Sequence, residues 1–167
     1  MMSKNSKKIV IIGAGGHCRV VVSLLSQLNE YDIVGIADKD DVCFGEVLVN
    51  QPIKYTWNNL TELFDSGVEY AAIALGNNID REKMYDNLNN IGYTMPNIIH
   101  KSSQIDESVI MKNGNHICMG VNIAVSTIIG VNNIVYSGTI LEHESSIGNN
   151  IFIAPGCCIA GRVRIGD

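Results

Sequence analysis

The stretch Ile123-Ala124-Val125-Ser126-Thr127-Ile128-Ile129-Gly130-Val131-Asn132-Asn133-Ile134-Val135 places a large aliphatic residue at every sixth position. The same step runs back through Ile117 and Met111 to Ile105, and forward through Leu141, Ile147, Ile153 and Ile159 to Ile165. At a hydrophobic content of 46%, eleven consecutive matches arise by chance about once in a thousand sequences, all six phases allowed. The next residue is mostly small (Ala124, Gly130, Gly148, Ala154, Ala160, Gly166), and compact residues return at Thr127, Thr139, Ser145 and Cys157. A period of six belongs neither to an α-helix nor to an alternating strand. It fits a β-helix in which each hexapeptide forms one flat face and three complete a triangular coil. Ile105, Ile123, Leu141 and Ile159, spaced by eighteen, are predicted to stack as one inward column.

Around this region the 167-residue chain is acidic, with 12 Lys and Arg against 17 Asp and Glu and a net charge of −5. The absence of a basic cluster argues against nucleic acid or an anionic membrane as partner. No apolar run approaches the roughly 18 residues of a membrane span. The opening Met-Met-Ser-Lys-Asn-Ser-Lys-Lys leads into Ile9-Val10-Ile11-Ile12, too short an apolar stretch for a signal peptide. Cys18, Cys43, Cys118, Cys157 and Cys158 are odd in number and lack C-x-x-C spacing, which reads as reduced thiols in a cytoplasmic protein without a zinc site. The chain stops at Arg164-Ile165-Gly166-Asp167, in mid-coil, so the repeat domain is expected to be incomplete at its C-terminus.

The first half follows different rules. Lys8–Ile12 is a β-branched run, followed by Gly13-Ala14-Gly15-Gly16-His17 and by Val20, Val21, Leu24, Leu25 and Leu28 at helical spacing. Strand, glycine turn and helix form the opening of a Rossmann-like phosphate-binding unit. Glycines let the backbone approach an anion, and the helix start offers free N–H groups. A second strand, Ile33–Ala37, ends at Asp38, placed for a ribose or base contact. A third, Tyr70–Leu75, ends at Gly76-Asn77-Asn78, with a helix from Asp80 to Asn90. The third fingerprint glycine is replaced by Cys18, and a glycine turn also serves plain strand–helix packing. About ninety residues give room for one mononucleotide. The expected architecture is α/β plus β-solenoid: a Rossmann-like domain over residues 1–97, then a hexapeptide-repeat domain over 98–167.

With Gly13-Ala14-Gly15-Gly16-His17, Ala74-Leu75-Gly76-Asn77-Asn78, Ile99-His100-Lys101-Ser102, Glu142-His143-Glu144 with Ile147-Gly148, and Ile153-Ala154-Pro155-Gly156 together, the chain resembles the two-domain sugar O- or N-acyltransferases of the left-handed β-helix superfamily. That family includes sialic acid O-acetyltransferases and bacillosamine-type sugar-nucleotide N-acetyltransferases. The resemblance implies a left-handed coil, against the usual crossover preference. It also implies acetyl transfer from acetyl-CoA to a sugar amine or hydroxyl, and a homotrimer with active sites between neighbouring β-helices. His143 matches the general base and Glu144 the acid that orients it. An imidazole titrates near neutral pH and can take the acceptor's proton. Adjacent strand residues face opposite ways, so a His–Glu contact has to occur at a corner or through a backbone adjustment.

The same resemblance matches Gly15, Gly16 and His17 to the segment that touches the nucleotide diphosphate, Asp38 and Lys39 to the segment near base or ribose, and Gly76 to the third loop. It places Phe152 where the family often has a second histidine near the acetyl group, and Tyr136 where an asparagine is common. Phe152 could pack on the pantetheine arm or sugar. Gly161 matches the position whose N–H receives the acetyl carbonyl. His100 is expected at the domain junction and His116 on the coil surface. His116 and His143 are 27 residues apart without a third histidine nearby, which does not supply the converging donors zinc needs. The alternative function is a non-catalytic sugar-nucleotide-binding or assembly protein on the same fold. An NAD-dependent oxidoreductase is disfavoured by Cys18 and the lack of a catalytic domain.

Overall fold

The computed structural model describes residues 6–39 and 44–166. The expectations for the first five residues, for Cys43 and for Asp167 lie outside the described residues. The chain divides into two compact units, Met1–Pro96 and Asn97–Asp167.

In the first unit, β1 (Lys7–Ile12) leads through the glycine turn into α1 (Gly16–Leu25) and β2 (Tyr31–Asp38). A short antiparallel hairpin follows, β3 (Val47–Leu48) and β4 (Gln51–Thr56), then α2 (Leu60–Asp65), β5 (Tyr70–Ile73) and α3 (Asn78–Ile91). The sheet order is β3-β4-β2-β1-β5, and the β4-β2-β1-β5 pairings are parallel. Ile9 to Ile12 are fully buried, as expected of a strand covered on both faces. The strand over 70–75 proves shorter at its end and the helix longer at both ends than the sequence suggested. Two strands and a helix between Val47 and Asp65 were not expected at all.

In the second unit, twelve two-residue strands form three parallel walls. One wall holds β6 (Ile98–Ile99), β9 (His116–Ile117), β12 (Ile134–Val135) and β15 (Phe152–Ile153). The next holds β7 (Gln104–Ile105), β10 (Asn122–Ile123), β13 (Ile140–Leu141) and β16 (Cys158–Ile159). The third holds β8 (Ile110–Met111), β11 (Ile128–Ile129), β14 (Ser146–Ile147) and β17 (Arg164–Ile165). Ile105, Ile123, Leu141 and Ile159 are in register on one wall, the column the six-step rule requires. Ile117, Ile123, Ile129, Val135, Leu141, Ile147 and Ile153 form one buried cluster.

From the corner leading into β9 onward, the corners turn on a residue in the left-handed backbone region. One corner uses Gly120, Gly138 and Gly156, where the missing Cβ makes this cheap. A second uses Gly114, Asn132 and Asn150, and the third uses Ser126, Glu144 and Arg162. Beside the second corner runs an amide ladder. Asn97 Oδ1 accepts from the backbone and side-chain N–H groups of Asn115, and Asn115 Oδ1 accepts the same pair from Asn133. Asn133 Oδ1 then accepts from the Ile151 N–H at 2.7 Å. Asn97 is thus the first rung of the second unit.

His116 corrects an expectation. It is 2% exposed, and its register partners Ile98 and Ile134 are equally buried. His116 thus lies among buried neighbours on its wall, although Phe152 on the same wall is 40% exposed.

The ladder gives a stability test. Asn133→Leu removes the acceptor for Ile151 N–H and the donor to the Gly148 carbonyl, 3.0 Å away. Each buried orphan costs about 1–3 kcal/mol, so a loss of about 3 kcal/mol is expected. It is read as a lower urea midpoint, with Asn122→Leu at an exposed position as the near-neutral comparison.

Candidate functional site

The parallel sheet aligns the C-terminal ends of β2, β1 and β5 along one edge, Ile12 opposite both Ala37 and Ile73. The loops that follow carry Gly15, Gly16 and His17, then Asp38 and Lys39, then Gly76. The structure therefore brings the six candidates of the first unit to one sheet edge, where open α/β sheets take ligands. Gly13 turns the chain at φ +102° and donates its N–H to the Ala37 carbonyl at 2.7 Å. A Cβ on Gly15 or Gly16 would meet nothing within 4 Å, so the backbone at the start of α1 is open to approach. The N-cap Gly15 supplies no side-chain hydrogen bond, and no acidic residue sits in the helix's own first turn.

His17 is 6% exposed. Burial, reinforced by the Arg81 cation, pushes its pKa down to about 4, so it offers a neutral ring at physiological pH. Arg81 in α3 is itself buried and leans its Nη1 toward the Leu75 and Gly76 carbonyls at 3.4 and 3.5 Å. It was not singled out in the sequence, since one arginine in a charged helix carries no signal there. Asp38 turns its Oδ1 back onto the Lys39 backbone N–H at 2.9 Å. Cys18, in the place of the third glycine, is fully buried and burial raises its thiol pKa to about 11.

In the second unit, Glu142-His143-Glu144 forms the corner between β13 and β14, where the turn of the chain lets neighbouring side chains converge. Glu144 takes φ +57°, and its Oε2 lies 3.1 Å from His143 Nδ1. Hydrogen bonds from Arg162 first, and from His143 second, hold the Glu144 pKa below the usual carboxylate range. An ionised carboxylate only accepts, so Nδ1 carries a proton, and in the neutral ring Nε2 presents its lone pair. Among the described residues none hydrogen-bonds Nε2.

Gly161 sits at the same corner one coil later. A Cβ there would fall 2.5 Å from His143 Nε2, 2.7 Å from Cε1 and 2.9 Å from Cδ2. The ring therefore lies flat against the glycine backbone. Gly161 is required by space, since its φ is not left-handed. The neighbouring Arg162, which the sequence reading missed, donates from Nε to Glu144 Oε2 at 3.0 Å. Its signal was the eighteen-residue distance from Glu144.

Phe152 does not join this group within one chain. It lies on the wall across the coil from the His143 corner, 40% exposed, with its ring 5.2 Å from that of Tyr136. The two residues that depart from the resemblance thus pack on each other. His100 Nδ1 accepts the Ser102 N–H at 3.1 Å and acts within a turn. Among the described residues no group of three His, Cys, Asp or Glu could hold a metal ion, and no helix is long and apolar enough to cross a membrane.

Residues 8–88 match the PglD N-terminal domain. Over 99% of this chain and 79% of the other, the structure is similar to PerB from Caulobacter crescentus in complex with CoA and GDP-perosamine, at 26% identity and a TM-score of 0.86. A mutant of perosamine N-acetyltransferase from the same organism, also with CoA and GDP-perosamine, matches 98% of this chain and 75% of its own at 25% identity and a TM-score of 0.79. The acetyltransferase domain of PglB from Neisseria gonorrhoeae shares the fold, with 23% identity, 97% and 86% coverage and a TM-score of 0.79.

Proposed function

We propose that this chain, which carries the PglD N-terminal domain ahead of its coil and is similar in structure to PerB, is a left-handed β-helix sugar acetyltransferase that moves the acetyl group of acetyl-CoA onto an amino group of a nucleotide-linked sugar. The observation that carries the mechanism is the corner itself: a carboxylate on Nδ1, an unengaged Nε2, and a glycine backbone against the ring. The similarity to proteins with CoA and GDP-perosamine supports the substrate classes.

In this reading the nucleotide lies along the sheet edge of the first unit, its diphosphate against Gly15, Gly16 and His17, with Asp38 and Lys39 toward the ribose or base and Gly76 in the third loop. His143 Nε2 removes a proton from the sugar amine as its nitrogen attacks the thioester carbonyl. Glu144 stabilises the imidazolium that results, as the carboxylate does in hydrolytic triads. The Gly161 N–H faces the developing oxyanion. Collapse breaks the C–S bond, and the proton on His143 passes to the departing CoA sulfur, giving amide and free thiol.

Because Phe152 stands across the coil from His143, one chain does not assemble both. We place the site at the seam of a homotrimer, where a second copy brings its Phe152 wall against the pantetheine arm. Acetyl-CoA and nucleotide sugars are cytoplasmic metabolites, and we assign the protein to the cytoplasm.

The test mixes the protein with acetyl-CoA and UDP- or GDP-linked 4-amino sugars and follows CoA thiol. Thiol release matched by a hydroxylamine-stable product is expected; a hydroxylamine-labile product would mean O-acetylation. The Tyr136–Phe152 ring contact, in place of polar groups, favours one other reading, a binding protein without turnover. That reading holds if nucleotide sugars raise the melting temperature while no thiol appears.

A further inference from the structure

We propose that Arg162 is a positioning residue for this reaction: it clamps the Glu144 carboxylate and thereby fixes the tautomer and orientation of the His143 ring. The inference rests on the reading of His143 as the base and adds to it a residue from the following coil.

The geometry is a three-member chain on one oxygen. Glu144 Oε2 accepts from His143 Nδ1 at 3.1 Å and from Arg162 Nε at 3.0 Å. The backbone repeats the connection, since the Arg162 N–H donates to the His143 carbonyl at 2.9 Å. Arg162 thus holds the base's main chain with one donor and its carboxylate partner with another. The other charged group on the corner is Glu142, whose Oε2 lies 3.4 Å from the His143 N–H. The preceding coil supplies only uncharged groups, with Val125 O accepting the Glu144 N–H at 2.9 Å.

Two features argue for a purpose beyond folding. All three side chains are substantially exposed, 47% for His143, 49% for Glu144 and 74% for Arg162. An ion pair that open to water contributes little to stability. Arg162 also takes φ +63°, a conformation that disfavours any residue with a Cβ and that glycine fills on the Gly120, Gly138 and Gly156 corner. The position tolerates a conformational cost to keep a long cationic side chain. What that side chain supplies is direction. An exposed carboxylate alone samples several rotamers, only some of which meet Nδ1. A guanidinium that bonds the carboxylate from a main chain itself tied to His143 narrows that set, and in the neutral ring Nδ1 keeps the proton while Nε2 keeps the lone pair. Removing the clamp therefore releases the ring to the opposite tautomer, in which Nε2 carries hydrogen and cannot act as base.

Arg162→Gly is the decisive variant, because it relaxes the backbone and gives no reason to unfold. Imidazole ¹⁵N shifts of the ligand-free protein at neutral pH, assigned with His143→Gln, report the tautomer directly. The Nδ1–H fraction of His143 is expected to fall in Arg162→Gly. The kcat for acetyl-CoA with the 4-amino sugar nucleotide should drop about ten-fold, with the KM for acetyl-CoA unchanged. Arg162→Lys, which keeps the charge and loses the Nε–H, should recover part of both. An unchanged Nδ1–H fraction in Arg162→Gly would overturn the clamp. A parent protein that transfers no acetyl group would instead overturn the role given to His143, and the tautomer measurement would still decide that of Arg162.

Discussion

Replacing His143 with alanine lowers acetyl transfer about a thousand-fold while the protein melts as before. The size follows from the proton, because the nitrogen of the free amine becomes cationic as it bonds the thioester carbon and reaches the neutral amide only by giving one proton to His143, which passes it to the CoA sulfur. Placed general bases contribute typically 10²–10⁴-fold. The unchanged melting follows from exposure: His143 is half open to solvent, and surface substitutions of that kind usually stay within about 0.5 kcal/mol. The measurement pairs kcat with thermal unfolding on the same preparation. A variant retaining a tenth or more of parental turnover would remove the imidazole from the mechanism, and the proton would then have to leave through water.

Gly161→Ala is expected to cost about a hundred-fold in kcat, with one methyl group added and no catalytic atom deleted. The new Cβ would stand 2.5 Å from His143 Nε2, well inside contact distance, and the ring on its single-bonded stem is what gives way. Displacement by about 1 Å is enough for a loss of that order. Since Gly161 does not use a left-handed φ, alanine brings no backbone strain, and the urea midpoint should hold. Activity lost together with stability would mean instead that the coil below is pushed apart.

Much of the second unit could be read from residue order alone. Each rung from Ile105 to Ile165 faces inward, and every inward residue must be apolar, so the coil writes its period into the chain. The His143–Glu144 contact was legible as adjacency plus the requirement for a corner. Arg162 was not, because its link to Glu144 spans eighteen residues and has meaning only once the coils are in register. The amide ladder was missed for a different reason. Asn97, Asn115 and Asn133 keep the same eighteen-residue spacing, yet asparagine reads as a loop residue unless its neighbours above and below are known. In the first unit, the glycine turn and Asp38 were visible because a turn and a strand end impose residue types. The β3–β4 hairpin was hidden: Val49 and Asn50 take positive φ, which no valine advertises, and Pro52 sits near the start of β4, before its pairing with β2 begins at Ile53, where a missing N–H is tolerated. The burial of His116 was invisible because hexapeptide spacing says which way a side chain points and nothing about what lies beyond.

The eighteen-residue registry also makes this half of the molecule a ruler with one graduation. Removing residues 105–122, or duplicating them, shifts everything downstream along the axis by one strand spacing, about 4.8 Å, and returns every later residue to its original wall. A cut that is not a multiple of eighteen moves the imidazole off its side of the prism. Lineages can therefore lengthen or shorten such a protein in whole turns without redesigning its chemistry, and a six-residue edit is far more damaging than one three times its size.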